Sequence, residues 1–123
     1  MKNILIIEDD IDIGNILQMI LTKNGFAVTI LNNASGIAAL IKDNIFDLVC
    51  LDMLLSGKTS IDICRDIKNT ASSAHIPVMM MSAHSDAKMI CLQAGAHDFI
   101  SKPFDLNDLL DKINKLLFKG RGI

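Results

Sequence analysis

The chain has 123 residues, half of them apolar, with no Trp or Tyr and with 12 basic against 14 acidic side chains, a formal net charge of −2. That length suits one domain whose core needs no disulfide or metal staple, and the near balance of charge argues against direct nucleic-acid binding or an acidic-membrane surface. No apolar run approaches a membrane span, and Met1-Lys2-Asn3 leads straight into a strand-like run rather than a leader, so a cytoplasmic chain with no membrane contact is expected.

Lys2 to Ile7 reads as a buried strand stopped abruptly by Glu8-Asp9-Asp10. A first helix runs from there to about Lys23, with Ile13, Ile16, Leu17, Ile20 and Leu21 at helical spacing, and Asn24-Gly25 ends it. Asp10 and Asp12 suit its start, where negative charge is favourable. Phe26–Leu31 is a second strand, Asn32-Asn33 a turn, and Ala34–Asp43 a second helix with Ile37, Leu40 and Ile41 on one face. Phe46–Asp52 is a third strand whose apolar run ends on a carboxylate. Such a carboxylate is either turn chemistry or the centre of a site at a strand's carboxyl end.

Met53–Thr59 reads as a loop, and Ser60 as the cap of a third helix to about Asn69, with Ile61, Cys64 and Ile67 inward. Ile76–Met81 is a fourth strand, its proline tolerable near the start, and Ser82 follows it. A fourth helix spans about Asp86–Ala94 and Gly95 closes it. His97–Ser101 is a short fifth strand, Lys102-Pro103-Phe104 follows, and Asp105 caps a fifth helix whose apolar face is Leu106, Leu109, Leu110, Ile113, Leu116 and Leu117. Gly120–Ile123 is expected to fray. Strand and helix alternate five times, which predicts an α/β fold: a five-stranded parallel sheet, doubly wound, with helices on both faces.

Several residue types have blander readings. Cys50, Cys64 and Cys91 are odd in number and widely spaced, as buried free thiols of a reducing compartment would be. His75, His84 and His97 have no metal-ligand spacing, and Met79-Met80-Met81 suits plain strand core. Gly57-Lys58-Thr59 resembles the end of a P-loop, but that motif needs glycine where Asp52 stands.

The strand ends carry the chemistry. Strand one supplies Glu8 and Asp9, strand three Asp52, strand four Ser82 and strand five Lys102, whereas strand two offers only Asn32. The carboxyl ends of a doubly wound sheet converge on one crevice. Clustered carboxylates repel and raise a pKa. A hard divalent cation, magnesium or manganese, removes that conflict. An ionised carboxylate needs no general base to attack phosphorus, provided that positive charge neutralises the phosphoryl oxygens. Ser82 can donate to the phosphoryl group. The pattern reads as an aspartyl-phosphate acceptor centred on Asp52.

Ile-Leu-Ile-Ile-Glu-Asp-Asp at 4–10, Leu-Val-Cys-Leu-Asp-Met at 48–53, Pro-Val-Met-Met-Met-Ser-Ala at 77–83 and Gly-Ala-His-Asp-Phe-Ile-Ser-Lys-Pro-Phe at 95–104 give the chain a resemblance to the receiver domains of two-component response regulators, over essentially its whole length. The resemblance implies a flavodoxin-like (βα)5 fold and one receiver domain over 1–123. It implies Asp52 as phosphoacceptor, Asp9 as direct and Glu8 as water-mediated ligand of Mg2+, and the Leu54 carbonyl as a further ligand. Ser82 and Phe99 would form the switch pair and Lys102 would bind phosphate, with the Lys102-Pro103 peptide cis. The partners implied are a sensor histidine kinase or histidine phosphotransfer protein, docking near Ile13, Ile16 and Leu17, and a downstream protein at the face of the fourth helix, fifth strand and fifth helix. The chain would not be an enzyme, catalysing only its own phosphoryl transfer and dephosphorylation.

The sequence departs from that pattern in several places. Leu55-Ser56-Gly57 lacks the usual proline, Ser60 replaces a second glycine, and Phe99 replaces a common tyrosine. The span from Ser82 to Lys102 is about two residues short, which places a deletion between Ala83 and Lys88 and suggests a shortened fourth helix. The positions two residues after Asp52 and after Ser82 are Leu54 and His84, and the apolar Leu54 suggests a long-lived phosphoryl group. The alternative is a pseudo-receiver, a phosphorylation-independent binding module. A phosphohydrolase would want an Asp where Leu54 stands, and a flavin carrier would want a Ser/Thr/Gly-rich loop where Glu8-Asp9-Asp10 stands.

Overall fold

The computed structural model describes residues 1–118; the end expected to fray, Gly120–Ile123, lies outside them. The elements in order are β1 (Asn3–Ile7), α1 (Ile11–Lys23), β2 (Ala27–Leu31), α2 (Ile37–Asp43), β3 (Leu48–Asp52), β4 (Leu54–Leu55), β5 (Lys58–Thr59), α3 (Ile61–Asn69), β6 (Val78–Ser82), α4 (Lys88–Gln93), β7 (Asp98–Ser101) and α5 (Leu106–Phe118). The main sheet is wholly parallel, in the order β2-β1-β3-β6-β7. This is the doubly wound, flavodoxin-like arrangement, whose switch point lies between β1 and β3.

Period-two alternation along the strands divides the core into two layers. Ile4, Ile6, Leu48, Cys50, Met79 and Met81 pack with Leu17 and Leu21 of α1 and Leu109, Ile113 and Leu117 of α5. Leu5, Ile7, Val49, Leu51, Val78 and Met80 pack with Ile37, Ile41, Ile61, Cys64, Ile67 and Cys91 on the opposite face. Both faces of β1, β3 and β6 are therefore covered, which is why these strands are near-continuous apolar runs. All three cysteines are free and buried. The three histidines are exposed.

Several local expectations are corrected. Residues 34–36 do not join α2. The Ser35 N–H bonds to Asn33 Oδ1 at 2.8 Å, Gly36 takes φ +79°, and the helix begins at Ile37. The loop after Asp52 contains a two-residue antiparallel ribbon, β4–β5. Ser60 sits at the N-cap position of α3 but makes no capping bond; its Oγ instead donates to the Asp52 carbonyl at 2.5 Å. The Thr59 Oγ1 accepts from the Ile61 N–H at 3.3 Å. The fourth helix is short, as expected: six residues, preceded by a 3-10 turn at Ser85–Ala87. Asp10 caps α1, accepting from the Asp12 and Ile13 amides, and Asp105 Oδ2 accepts from the Asp108 N–H at the start of α5.

Candidate functional site

The parallel register brings four strand ends to one edge. Ile7 lies beside Leu51, Asp52 beside Met81, and Ser82 beside Ser101. The ladders run one residue further: the Glu8 N–H bonds to Leu31 O at 3.0 Å, Met53 N–H to Met81 O at 2.8 Å, and Lys102 N–H to Ser82 O at 2.8 Å. Glu8, Asp52 and Lys102 are thus held by main-chain bonds at the sheet's end. Among the described residues, one carboxylate oxygen from each of Glu8, Asp9 and Asp52 lies within 4.8 Å of the others.

Lys102 ties this group together. Its Nζ is 2.6 Å from Glu8 Oε1 and 3.2 Å from Asp52 Oδ1, with Glu8, Asp52 and Ser82 all buried. One ammonium faces three carboxylates, so the pocket has excess negative charge at its wall. Burial, and then the hydrogen bond that a protonated Glu8 donates to the Asp52 carboxylate, push Glu8 up to about 7, against the opposing pull of Lys102. For Lys102 burial acts downward, but the bond to Glu8 and the charge of Asp52 outweigh it and hold its pKa above the ordinary lysine value. An oxygen-only donor set with surplus negative charge fits a hard divalent cation such as Mg2+.

The raised carboxyl has a consequence for stability. The folded chain keeps a proton on Glu8 that the unfolded chain loses between pH 4.5 and about 7, so stability present at low pH is lost as pH rises through that window. Thermal unfolding in chelator should show the midpoint falling from pH 4.5 towards 7, with Glu8→Gln flattening that segment. A midpoint that is level or rises there in wild type would contradict the assignment.

The remaining predicted residues are placed as follows. Ser82 Oγ accepts the His84 N–H at 3.0 Å, inside the short connection to α4. Phe99 is buried among the α3–α4 side of the core, and the Lys102-Pro103 peptide is cis. Leu54 is 42% exposed and lines a groove of about 270 Å³ with Met53, His84, Asp86, Ala87 and Ile90. Ile16 is 50% exposed, but Leu17 is 1% exposed and faces the core, which corrects its place on the expected docking surface. Ile13, Ile16 and Ile20 instead form an apolar groove with Phe104 and Leu106, next to Lys102. Gly57-Lys58-Thr59 is a hairpin turn and strand rather than a helix start, so it has no P-loop context. Sequence reasoning missed two groups at the site. These are the Ser60 hydroxyl and the Ser56 N–H, which bonds to Asp9 Oδ2 at 2.8 Å. The signal for the second was Ser-Gly at the centre of a possible two-residue hairpin.

Comparison with known proteins identifies the family and the fold. The family model "Response regulator receiver domain" matches residues 4–114. The sensory transduction protein RegX3 of Mycolicibacterium smegmatis is 30% identical over 122 residues, covering 98% of this chain and 52% of that protein; the chain spans about half the length of the curated relatives it matches. A two-component response regulator from Clostridium difficile superposes with a TM-score of 0.87 at 26% identity, covering 97% of this chain and 98% of that one. The receiver domain of the Pseudomonas aeruginosa sensor histidine kinase PA1611, solved with magnesium coordinated in its active site cleft, shares the fold with a TM-score of 0.84 at 21% identity, covering 94% and 97%. No helix among the described residues is long and apolar enough to cross a membrane. With its parallel five-stranded sheet and its acidic pocket under a bridging lysine, the chain belongs to the response regulator receiver domain family of two-component signalling proteins.

Proposed function

We propose that residues 1–123 form one receiver domain that accepts a phosphoryl group on Asp52 and changes partner binding in response. The observation that carries this is the Lys102 ammonium between two buried carboxylates, Glu8 and Asp52. An Oδ atom of Asp52 attacks phosphorus of a phosphohistidine on a sensor kinase or phosphotransfer protein. The O–P bond forms as the N–P bond breaks, and the bonding pair stays with the imidazole nitrogen. Lys102 stands where it can follow the phosphoryl oxygens, giving up part of its contact with Asp52 as that carboxylate becomes an acyl phosphate, a mixed anhydride. The Ser82 hydroxyl already accepts from His84 N–H and keeps its proton to donate to a phosphoryl oxygen.

Asp9 and Asp52 would hold Mg2+ directly, Glu8 through water, and the Leu54 carbonyl would add a ligand. When bound, the ion supplies the positive charge that the pocket lacks. The magnesium in the PA1611 receiver domain supports this reading. The donor protein would dock on the apolar groove of Ile13, Ile16, Ile20, Phe104 and Leu106, beside Lys102. A downstream protein would read the face of α4, β7 and α5, where Ser85, Lys88, Phe99, Asp105, Asp108 and Lys112 line a groove. Buried Phe99 and Ser82 are the pair through which the site would bias that face.

Incubation with acetyl phosphate tests the reading by intact mass. One phosphoryl adduct is expected with magnesium and none in chelator. Absence of any adduct on folded chain would favour a phosphorylation-independent binding module instead. Leu54 gives a finer check, because an exposed apolar side chain beside Asp52 hinders an attacking water. Leu54→Asn should accelerate loss of the adduct about tenfold, a barrier change of about 1.4 kcal/mol; an unchanged decay rate would remove Leu54 from the account.

A further inference from the structure

The β4–β5 hairpin is bonded to the acid pocket through a group that the phosphoacceptor reading does not use. Its central residues, Ser56 and Gly57, have φ of 52° and 77°. Positive φ at both positions is the mark of a type I′ turn, whose twist matches that of a two-residue hairpin. In this turn the Ser56 N–H donates to Asp9 Oδ2 at 2.8 Å, bridging 47 positions of chain.

The hairpin's stem is fixed to β3. The Ser60 N–H bonds to Met53 O at 2.7 Å, and the Ser60 hydroxyl, fully buried, donates to Asp52 O at 2.5 Å. Ser60 has φ −98°, so nothing in its backbone requires glycine there, and the side chain is free to make this tie. The turn therefore cannot slide along β3, and its amide is held against Asp9. A proline at 56 could make no such bond, having neither the N–H nor access to positive φ.

We propose that the Ser56 main-chain N–H is a positioning group for Asp9, holding Oδ2 so that Oδ1 is left for a divalent cation. The proposal rests on the reading of Glu8, Asp9 and Asp52 as the magnesium pocket. Hydrogen bonds to a ligating carboxylate fix its orientation, and removing them typically weakens metal binding by about 10- to 100-fold. The contrary effect is also physical: a donor on Oδ2 withdraws charge from the carboxylate and competes with the cation. The two effects predict opposite signs.

The full chain with D-proline in place of Ser56, assembled by chemical ligation, separates them. D-proline holds φ at about +65°, the mirror of the L-residue's value, so it keeps the turn and deletes the N–H; the serine side chain that it also removes is controlled by Ser56→Gly. Mg2+ alone, with no phosphodonor, is titrated calorimetrically. The D-proline chain should bind about tenfold or more weakly than wild type, and Ser56→Gly, which keeps the N–H, should bind within about twofold of it. An ester at the 55–56 linkage, removing the same N–H, must reproduce the loss. If the D-proline and ester chains bind as tightly as wild type, or more tightly, the positioning role is wrong while the pocket stands. If wild type itself binds no Mg2+, the pocket reading fails and the proposal falls with it.

Discussion

Asp52→Asn is expected to abolish phosphoryl uptake while leaving the metal-free chain at least as stable as wild type. The two halves have the same cause. On the proposed reading the carboxylate is the nucleophile, and an amide has no charge to offer phosphorus at neutral pH, so no adduct should form at any magnesium concentration. In the metal-free fold, Asp52 is one of three carboxylates facing one ammonium. Removing its charge relieves Glu8, whose pKa Asp52 helps to raise, and still leaves Lys102 paired with Glu8 at 2.6 Å. Asparagine is close to isosteric, so packing around the buried site changes little. Parallel intact-mass and chelator thermal-melt measurements check both halves. A variant that loses uptake because it unfolds would show a lowered midpoint, and that result would contradict the account. Stability and function are opposed at this site because the charge surplus that suits a cation is a liability without one.

Lys102→Ala should do the reverse to the fold and also damage the chemistry. The ammonium is the only cation that the described residues place within ion-pair distance of Glu8 and Asp52. Deleting it strands two buried carboxylates, and breaking a buried pair from one side costs about 3 kcal/mol or more. The metal-free thermal midpoint should drop by several degrees, and magnesium should restore a larger share of stability than it adds to wild type, since the ion then supplies the sole positive charge. Phosphoryl uptake should slow by about a hundredfold or more, the range expected when one preorganised donor to a developing anion is lost. Lys102→Met, which keeps most of the aliphatic stem, separates charge from packing. If it matches wild type in chelator, the electrostatic account of the pocket is wrong.

Most of the site was legible because its groups stand at or just past the ends of apolar strands. Glu8, Asp52 and Ser82 directly follow apolar runs, and Lys102 follows one after a single intervening residue, Ser101; polar and charged groups at such ends have one place to go in a parallel sheet. That helices cover both faces of the sheet could be anticipated for the same reason, since strands as uniformly apolar as Ile4–Ile7 and Leu48–Leu51 must be covered on both faces. What could not be read were features decided by side-chain direction or by a few main-chain bonds. Leu17 shares helical spacing with Ile16, yet a 100° step separates a core residue from an exposed one. Ser60 looked like a cap because its type and position fit, but the Asp52 carbonyl lay within reach of the same hydroxyl. The hairpin at 54–59 has strands of two residues, too short for any alternation to register, and residues 34–36 were lost to α2 because an Asx bond from Asn33 competes with the first helical turn.

The most direct test of the account is where the phosphoryl group goes. The chain, loaded from acetyl phosphate in magnesium, is reduced with borohydride, which converts a phosphorylated aspartate to homoserine and leaves free carboxylates unchanged, and its peptides are then sequenced by mass spectrometry. The account predicts conversion at Asp52 alone, dependent on magnesium and absent from Glu8 and Asp9. Conversion at another carboxylate, or a stable phosphoryl group on a hydroxyl such as Ser82 with Asp52 intact, would contradict it.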